Sequence, residues 1–399
     1  MSRSNGRLRV LALISMAVVL SMSAWFTATA IGPELQLRWG LGSSQLTWLT
    51  TLVQLGFVAG TALAVLLNLA DILPMRAYFG ASALLAAGAN GLLLMAPGFE
   101  SAAVLRFLTG VFLAGVYPPA MKMISTWYLS GRGFAIGTVV GALTLGKGAP
   151  YLIKAVGGAS AQSVLIATSL AGVLGAVLVL LFYRDGPHPF TARPFDWGRV
   201  GSILRHRPTM LATGGYLGHM WELYAAWTFV PAFLHLAWAD RMSSGMADLA
   251  GFAFIGAGGA GAILAGRWAD RFGRIRIANL SMWISGGCAL IAGWMAAAPV
   301  PLLMIVVLVW GFAVVADSAQ FSALVTEVAP SHVVGTALTL QTMLGFALTA
   351  VTIQGAGKAI EMWGWGPAFG LLALGPAVGI WSMRTLGRLR GESRSLEGA

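Results

Sequence analysis

Apolar runs of roughly twenty residues, the length a helix needs to cross a bilayer, recur from one end of this chain to the other. They occupy residues 10–31, 44–67, 75–95, 102–127, 133–155, 161–183, 209–236, 247–266, 276–297, 302–325, 333–356 and 366–386. Lipid offers the backbone no hydrogen-bond partner, so each run is expected to satisfy itself as a helix. The expected fold class is therefore an all-α membrane protein with twelve transmembrane helices. Composition agrees: 57% of the 399 residues are hydrophobic and only 10% are charged, against about 25% charged in a soluble domain. Breakers punctuate the runs at Gly32-Pro33, Pro74, Ala96-Pro97-Gly98, Pro299-Val300-Pro301 and Gly364-Trp365-Gly366-Pro367.

Charge orients the runs. The net charge is +11, yet the arginines form no single basic face, so a nucleic-acid partner is not expected. Alternate connections hold Arg3, Arg7, Arg9, Arg76, Arg132, the cluster from Arg184 to Arg207, the cluster from Arg267 to Arg276, and Arg384 to Arg394. The opposite connections hold only Arg38, Lys154, Arg241 and Lys358. Basic residues stay on the cytoplasmic side, so both termini are expected in the cytoplasm of a bacterial-style inner membrane. The first run follows Arg3, Arg7 and Arg9 as a signal peptide would, but exceeds the usual length of about 7–15 apolar residues. It reads as an uncleaved first helix. Cys288 is the one cysteine, which excludes a disulfide framework or thiolate metal cluster.

The connection from Arg184 to Pro208 is polar and rich in Arg and Pro. It reads as a cytoplasmic linker, 184–208, between an N-terminal half, 1–183, and a C-terminal half, 209–399. The halves echo each other. Ala70-Asp71 follows the second run as Ala269-Asp270 follows the eighth, and Ser130-Gly131-Arg132-Gly133 follows the fourth as Pro330-Ser331-His332 follows the tenth. Such repeats are expected of a carrier with a site between its halves. The first copy is degraded at Asn68, Pro74 and Met75.

The fullest motif is Gly266-Arg267-Trp268-Ala269-Asp270-Arg271-Phe272-Gly273-Arg274, read as a short basic hairpin between two spans. It resembles the inter-helix signature of the major facilitator superfamily of secondary transporters. Arg106-Phe107-Leu108-Thr109-Gly110 with Gly115, Pro118 and Pro119 resembles that family's fourth helix. Gly137, Gly141, Gly146, Gly148 and Pro150 resemble its glycine-rich fifth; their plainer role is close helix packing. The resemblance implies two six-helix pseudo-symmetric halves, alternating access and a conformational-switch loop of Asp71, Gly266, Asp270, Arg271, Gly273 and Arg274. Tyr117-Pro118-Pro119 and His219-Met220-Trp221-Glu222-Leu223 are similar to a branch grouped with nitrate/nitrite and cyanate porters. Unlike the nitrate pattern, neither 44–67 nor 247–265 contains an arginine.

Ionisable groups at membrane depth cost about 2.5–3.5 kcal/mol each on insertion scales, so each is a functional candidate. His219 and Glu222 share one face of the seventh run at i and i+3. They suit proton coupling or polar-substrate capture, or else a structural pair. Asp317 with Gln320 forms a polar face on the tenth run, lining a cavity or partnering another helix. Lys122, after Tyr117, attracts an anion or reaches the inner interface. Lys147 attracts an anion or serves as counter-charge to Glu222 or Asp317. Arg106 stands near the outer end of the fourth run. Asn90 and Gln341 are read as interhelical amides. Trp39, Trp238, Trp268 and Trp363 are read as interface anchors.

The chain has no phosphate-binding loop, nucleophile elbow or zinc-protease motif. No ATP, cofactor, metal site or enzymatic activity is expected. The tail after Arg384 is too short for a soluble sensor domain. The expected function is secondary active transport by a monomer, in which a small solute, favouring a small or organic anion, crosses the inner membrane by alternating access coupled to protons. The alternative is a proton-coupled efflux antiporter for drugs or amphiphiles.

Overall fold

The computed structural model describes residues 3–128, 131–157, 160–188 and 196–397, apart from the side chains of 3–5, 70, 71, 132, 157 and 392–397. Among these residues every regular element is helical. The long helices are α1 (Arg3–Met22), α2 (Ser43–Leu66), α3 (Met75–Met95), α4 (Phe99–Ser125), α5 (Gly133–Val156) and α6 (Ala161–Phe182). They continue as α7 (Arg207–Ala237), α8 (Ser244–Phe272), α9 (Arg274–Ala292), α10 (Val300–Val328), α11 (Val334–Trp363) and α12 (Trp365–Gly391). Among the described residues 10 helices, α2–α6 and α8–α12, are long and apolar enough to cross a membrane. α7, long enough at 31 residues, falls outside that set by composition, since it carries His219, Glu222 and His235 among Gly, Tyr and Trp; its stretch from Glu222 through Pro231 is buried without interruption.

Several expected boundaries move. The run 10–31 is not one helix; α1 stops at Met22, residues 23–26 form a turn, and a short helix resumes at Thr27–Ala30. Gly32-Pro33 does not break the chain but opens a helix, Gly32–Trp39. Proline is tolerated in a first turn, where its missing N–H is not needed. The basic hairpin is largely helix. α8 continues through Phe272, and Gly273 alone, at φ +94°, makes the turn to Arg274. At the last breaker only Gly364, at φ +80°, departs from helix, while Trp365, Gly366 and Pro367 begin α12. α4 breaks at 114–116 ahead of Tyr117-Pro118-Pro119, and α10 breaks at Asp317.

α8 packs along α5, α11 along α2, and α7 against α11 and α12. Glycine permits the closest of these approaches. A Cβ on Gly141 would stand 3.2 Å from the Gly259 carbonyl, and one on Gly259 3.2 Å from the Gly141 carbonyl. Within the first half, a Cβ on Gly56 would fall 2.0 Å from the Phe107 carbonyl, so α2 and α4 cross only because that side chain is absent. The end of the bundle holding Gly273 is the basic end. At the other end Ser43 of α2 bonds Glu361 of α11, and Lys154 pairs with Glu34 at 3.3 Å.

The connection after α6 lies on the basic end. The His188 amide donates to the Thr126 carbonyl at 3.1 Å, and the Asp196 amide to Thr336 Oγ1 at 3.2 Å. Residues 189–195 lie outside the described residues. Trp268 and Trp363 are exposed and Trp39 partly so, but Trp238 is buried, 3% exposed, within the core. It is not a surface anchor.

Candidate functional site

Lys147 sits where α5 meets α1 and α7. Its neighbour Gly146 brings the helices together, since a Cβ there would lie 2.5 Å from the Val19 carbonyl. The Lys147 side chain is wholly buried. Its ammonium lies 3.8 Å from the centre of the Trp25 ring, 4.3 Å from Tyr224, 5.4 Å from Trp227 and 5.9 Å from Phe346. It also donates to the Tyr224 hydroxyl. Phe57 closes the box, 4.4 Å from Phe346 and 5.2 Å from Trp25 between ring centres. Ring faces are electron-rich and attract the ammonium. Among the described residues no carboxylate lies within ion-pair distance of it. Lys147 is therefore not the counter-charge to Glu222 or Asp317.

The break in α1 positions the box. Ending a helix inside the membrane leaves carbonyls without partners, which must be satisfied. Arg106 of α4 does this. It donates through Nη1 to the Ala24 carbonyl at 3.0 Å and through Nη2 to the Trp25 carbonyl. A cation at a helix C-terminus is also favoured by the helix dipole. Nη1 further donates to Asn90 Oδ1 at 3.2 Å, and Asn90 Nδ2 donates to Thr168 and Ser169 at 3.0 and 2.9 Å. Arg106 thus holds the backbone that carries Trp25 and does not itself face the box. Asn90 is the interhelical amide expected; Gln341 is buried with neither side-chain atom bonded.

The acids lie apart from this box. Residues two apart on a helix point about 200° apart, so Tyr224 and Glu222 occupy opposite sides of α7. Glu222 faces α9 and α10. Its Oε1 accepts from Trp310 Nε1 at 2.7 Å and its Oε2 from Ser285 Oγ at 2.8 Å. His219 turns to a different acid, with Nδ1 2.7 Å from Asp317 Oδ1. The contact is close enough for an ion pair but is not aligned as a hydrogen bond, and Nε2 has no partner. All three groups are at most 2% exposed. The face shared by His219 and Glu222 is real, but they do not pair with each other. Asp317 marks the break in α10, ending one helical stretch and preceding the next.

Gln320 does not line this region either. Its Oε1 accepts from Arg274 Nη1 at 3.2 Å, which ties α10 to the basic end. There Arg274 also donates to Glu327 at 2.8 Å and approaches Asp270 at 3.5 Å, while Arg390 bonds Glu327 at 3.0 Å. Asp270 reaches the start of α5: a Cβ on Gly133 would stand 3.2 Å from its Oδ2. Gly266 faces the same helix, 3.7 Å from the Gly133 carbonyl by the same construction. Arg271 lies 5.3 Å from the Phe272 ring and makes no ion pair with Asp270. Asp71 lies in a short helix, Leu69–Ile72, and its side chain is outside the described residues. Tyr117 opens the second part of α4 and Lys122 lies a turn further toward the basic end, both partly buried.

Sequence reasoning missed Trp25, Phe57, Trp227 and Phe346. The available signal was Ser21, Ser23 and Thr27 around Trp25 in the middle of an apolar run, since small hydroxyl side chains compete for backbone bonds and loosen a helix. The Ser23 hydroxyl does bond the Leu20 carbonyl at 2.7 Å, and that of Thr27 bonds the Ser23 carbonyl at 3.0 Å.

No curated protein matches the chain. Among solved structures, a point mutant of the nucleoside transporter NupG superposes with a TM-score of 0.72 over 94% of this chain and 99% of its own. At 13% identity this likeness establishes the fold. The sequence model of the Major Facilitator Superfamily matches residues 13–237, more than half of the chain. With the helical bundle above, that match means that the chain belongs to the Major Facilitator Superfamily of secondary transporters.

Proposed function

We propose that this protein carries a small organic anion across the inner membrane by alternating access, with Lys147 as the anchor for the negative charge. The observation that carries the reading is a fully buried ammonium that has one hydroxyl partner and, among the described residues, no carboxylate, set among aromatic rings between α1, α5, α7 and α11. A buried charge is normally paired with an opposite charge; a substrate anion would complete this one. Trp25, Tyr224, Trp227, Phe346 and Phe57 contact the substrate body. Within the family, the fourth and seventh helices favour the branch of nitrate/nitrite and cyanate porters.

Coupling to protons belongs to the other side of α7. Glu222 takes up and releases the proton as its hydrogen bonds to Trp310 and Ser285 exchange. His219 and Asp317 form a second polar pair about 7.5 Å along the helix from Tyr224, at 1.5 Å per residue. α1 and α7 complete a set of twelve spans in halves 1–183 and 209–399, joined by a cytoplasmic linker, 184–208, and working as a monomer. The Asp270–Arg274–Glu327–Arg390 chain braces the basic end of the C-terminal half, and Asp270 at its end abuts Gly133 of the other half.

The test is transport in proteoliposomes. Benzenesulfonate is the probe, because a permanently ionised acid does not leak through lipid as a protonated weak acid does. Protein-containing vesicles should exchange labelled benzenesulfonate, and Lys147→Met vesicles should not exceed protein-free ones. Equal exchange by the two proteins would remove Lys147 as the anchor. Selective export of an amphiphilic cation would favour the efflux reading.

A further inference from the structure

Resting on the anion-carrier reading above, we infer that the substrate is a monoanion with a flat apolar body, and that the seam of α1, α5, α7 and α11 around Lys147 rejects dianions. Three observations lead there.

The first is a charge inventory of the membrane interior. Lys147 is the buried cation that faces the rings at the seam. Arg106, the other fully buried cation of that half among the described residues, has both terminal nitrogens engaged by the Ala24 and Trp25 carbonyls and by Asn90. Lys122 lies off toward the basic end on α4, partly buried. Across the seam the buried ionisable groups of α7 and α10 are Glu222, Asp317 and His219. His219 is already committed to Asp317. Among the described residues one positive charge therefore faces the rings while the acids stand on the other side of α7, and a second negative charge on the substrate would be buried without a partner. In an interior of low dielectric such a charge is costly, and the acids of α7 and α10 add repulsion.

The second is how the ammonium is held. Lysine has three N–H donors, and one of them reaches the Tyr224 hydroxyl. The nitrogen itself lies 3.8 Å from the centre of the Trp25 ring and 4.3 Å from that of Tyr224. The rings act as stand-ins for a counter-ion. A single carboxylate or sulfonate takes over those donors through two of its oxygens.

The third is the shape of the surroundings. Trp25, Phe57, Tyr224 and Phe346 contact one another with ring centres 4.4 to 5.9 Å apart. The rings thus pack on one another, and their faces and edges are the surface that a flat apolar body would meet when the helices part. The remaining polar atoms there are few, and the indole nitrogens of Trp25 and Trp227 have no partner. These N–H groups are donors and add preference for an acceptor over a second cation.

The test uses the purified full-length protein and a thermal-shift series, since a ligand of the folded state raises the melting temperature. The probes are benzenesulfonate, benzene-1,3-disulfonate, methanesulfonate and benzylammonium. Benzenesulfonate should stabilise at concentrations at least tenfold below those needed for the disulfonate or for methanesulfonate, and benzylammonium should give no shift. Equal stabilisation by the disulfonate overturns the single-charge inference and leaves the anion-carrier reading intact. Equal stabilisation by methanesulfonate overturns the flat-body part. No shift with any anion overturns both. Trp25→Leu serves as the second variant: it keeps Lys147 and should narrow the gap between benzenesulfonate and methanesulfonate. An unchanged gap counts against the flat-body part.

Discussion

Lys147 and Glu222 are both buried in the membrane interior, yet their surroundings satisfy them in opposite ways. Glu222 has a neutral hydrogen-bond donor on each carboxylate oxygen, from Trp310 and Ser285. Lys147 has one hydroxyl partner and otherwise ring faces. The acid sits within the packing of α7, α9 and α10, whereas the ammonium sits where α1, α5, α7 and α11 converge. A saturated site is suited to holding a proton or bracing a fold. An unsaturated one is suited to receiving a ligand. On the function proposed above, coupling falls to one side of α7 and binding to the other.

That division breaks most severely at Glu222. Glu222→Gln keeps the size and one acceptor but cannot titrate. It should abolish accumulation of benzenesulfonate driven by a pH gradient while leaving exchange without a gradient largely intact. Unchanged accumulation would move the proton role to Asp317. Trp310→Phe comes next. It strips one donor from a buried carboxylate, which costs about 1–3 kcal/mol, measurable as a lower denaturation midpoint. A smaller loss would mean that Glu222 is less dependent on its donors than the geometry implies.

Trp25→Leu removes the closest ring from the ammonium and should be milder for stability. It also takes a ring away from the substrate body, and an aromatic pair contributes about 0.5–1.5 kcal/mol beyond burial, so affinity for benzenesulfonate should fall roughly two- to twelvefold at about 1.4 kcal/mol per decade of binding. Asp270→Asn should have the smallest effect. Asp270 is largely exposed and abuts the start of α5, where a negative charge interacts with the helix dipole. Exchange should slow a few-fold with no change in melting temperature. Equal loss of folded yield and of transport would make Asp270 a turn residue only.

The helical bundle was legible because bilayer thickness sets run length and lipid forces helix. The Gly266–Arg276 stretch was legible as a motif but not as structure. Arginines read as a loop, yet α8 continues through Phe272 because helix does not require lipid, only a turn residue to stop it, and Gly273 is the first. The face shared by His219 and Glu222 could be read from i, i+3 spacing. Their partners could not, since Ser285, Trp310 and Asp317 come from other helices and spacing reports only on its own helix. Lys147 was visible as a buried cation. Its aromatic box was not, because Trp25 depends on a break in α1 that Arg106 holds from α4.

The central claim is that Lys147 binds the substrate's charge. Calorimetric titration of the native protein and of Lys147→Met with benzenesulfonate tests it most directly, with matching melting temperatures as the control for folding. Native protein should bind with heat release, and Lys147→Met should bind at least a hundredfold more weakly or not at all. Comparable affinity in the two proteins would contradict the account.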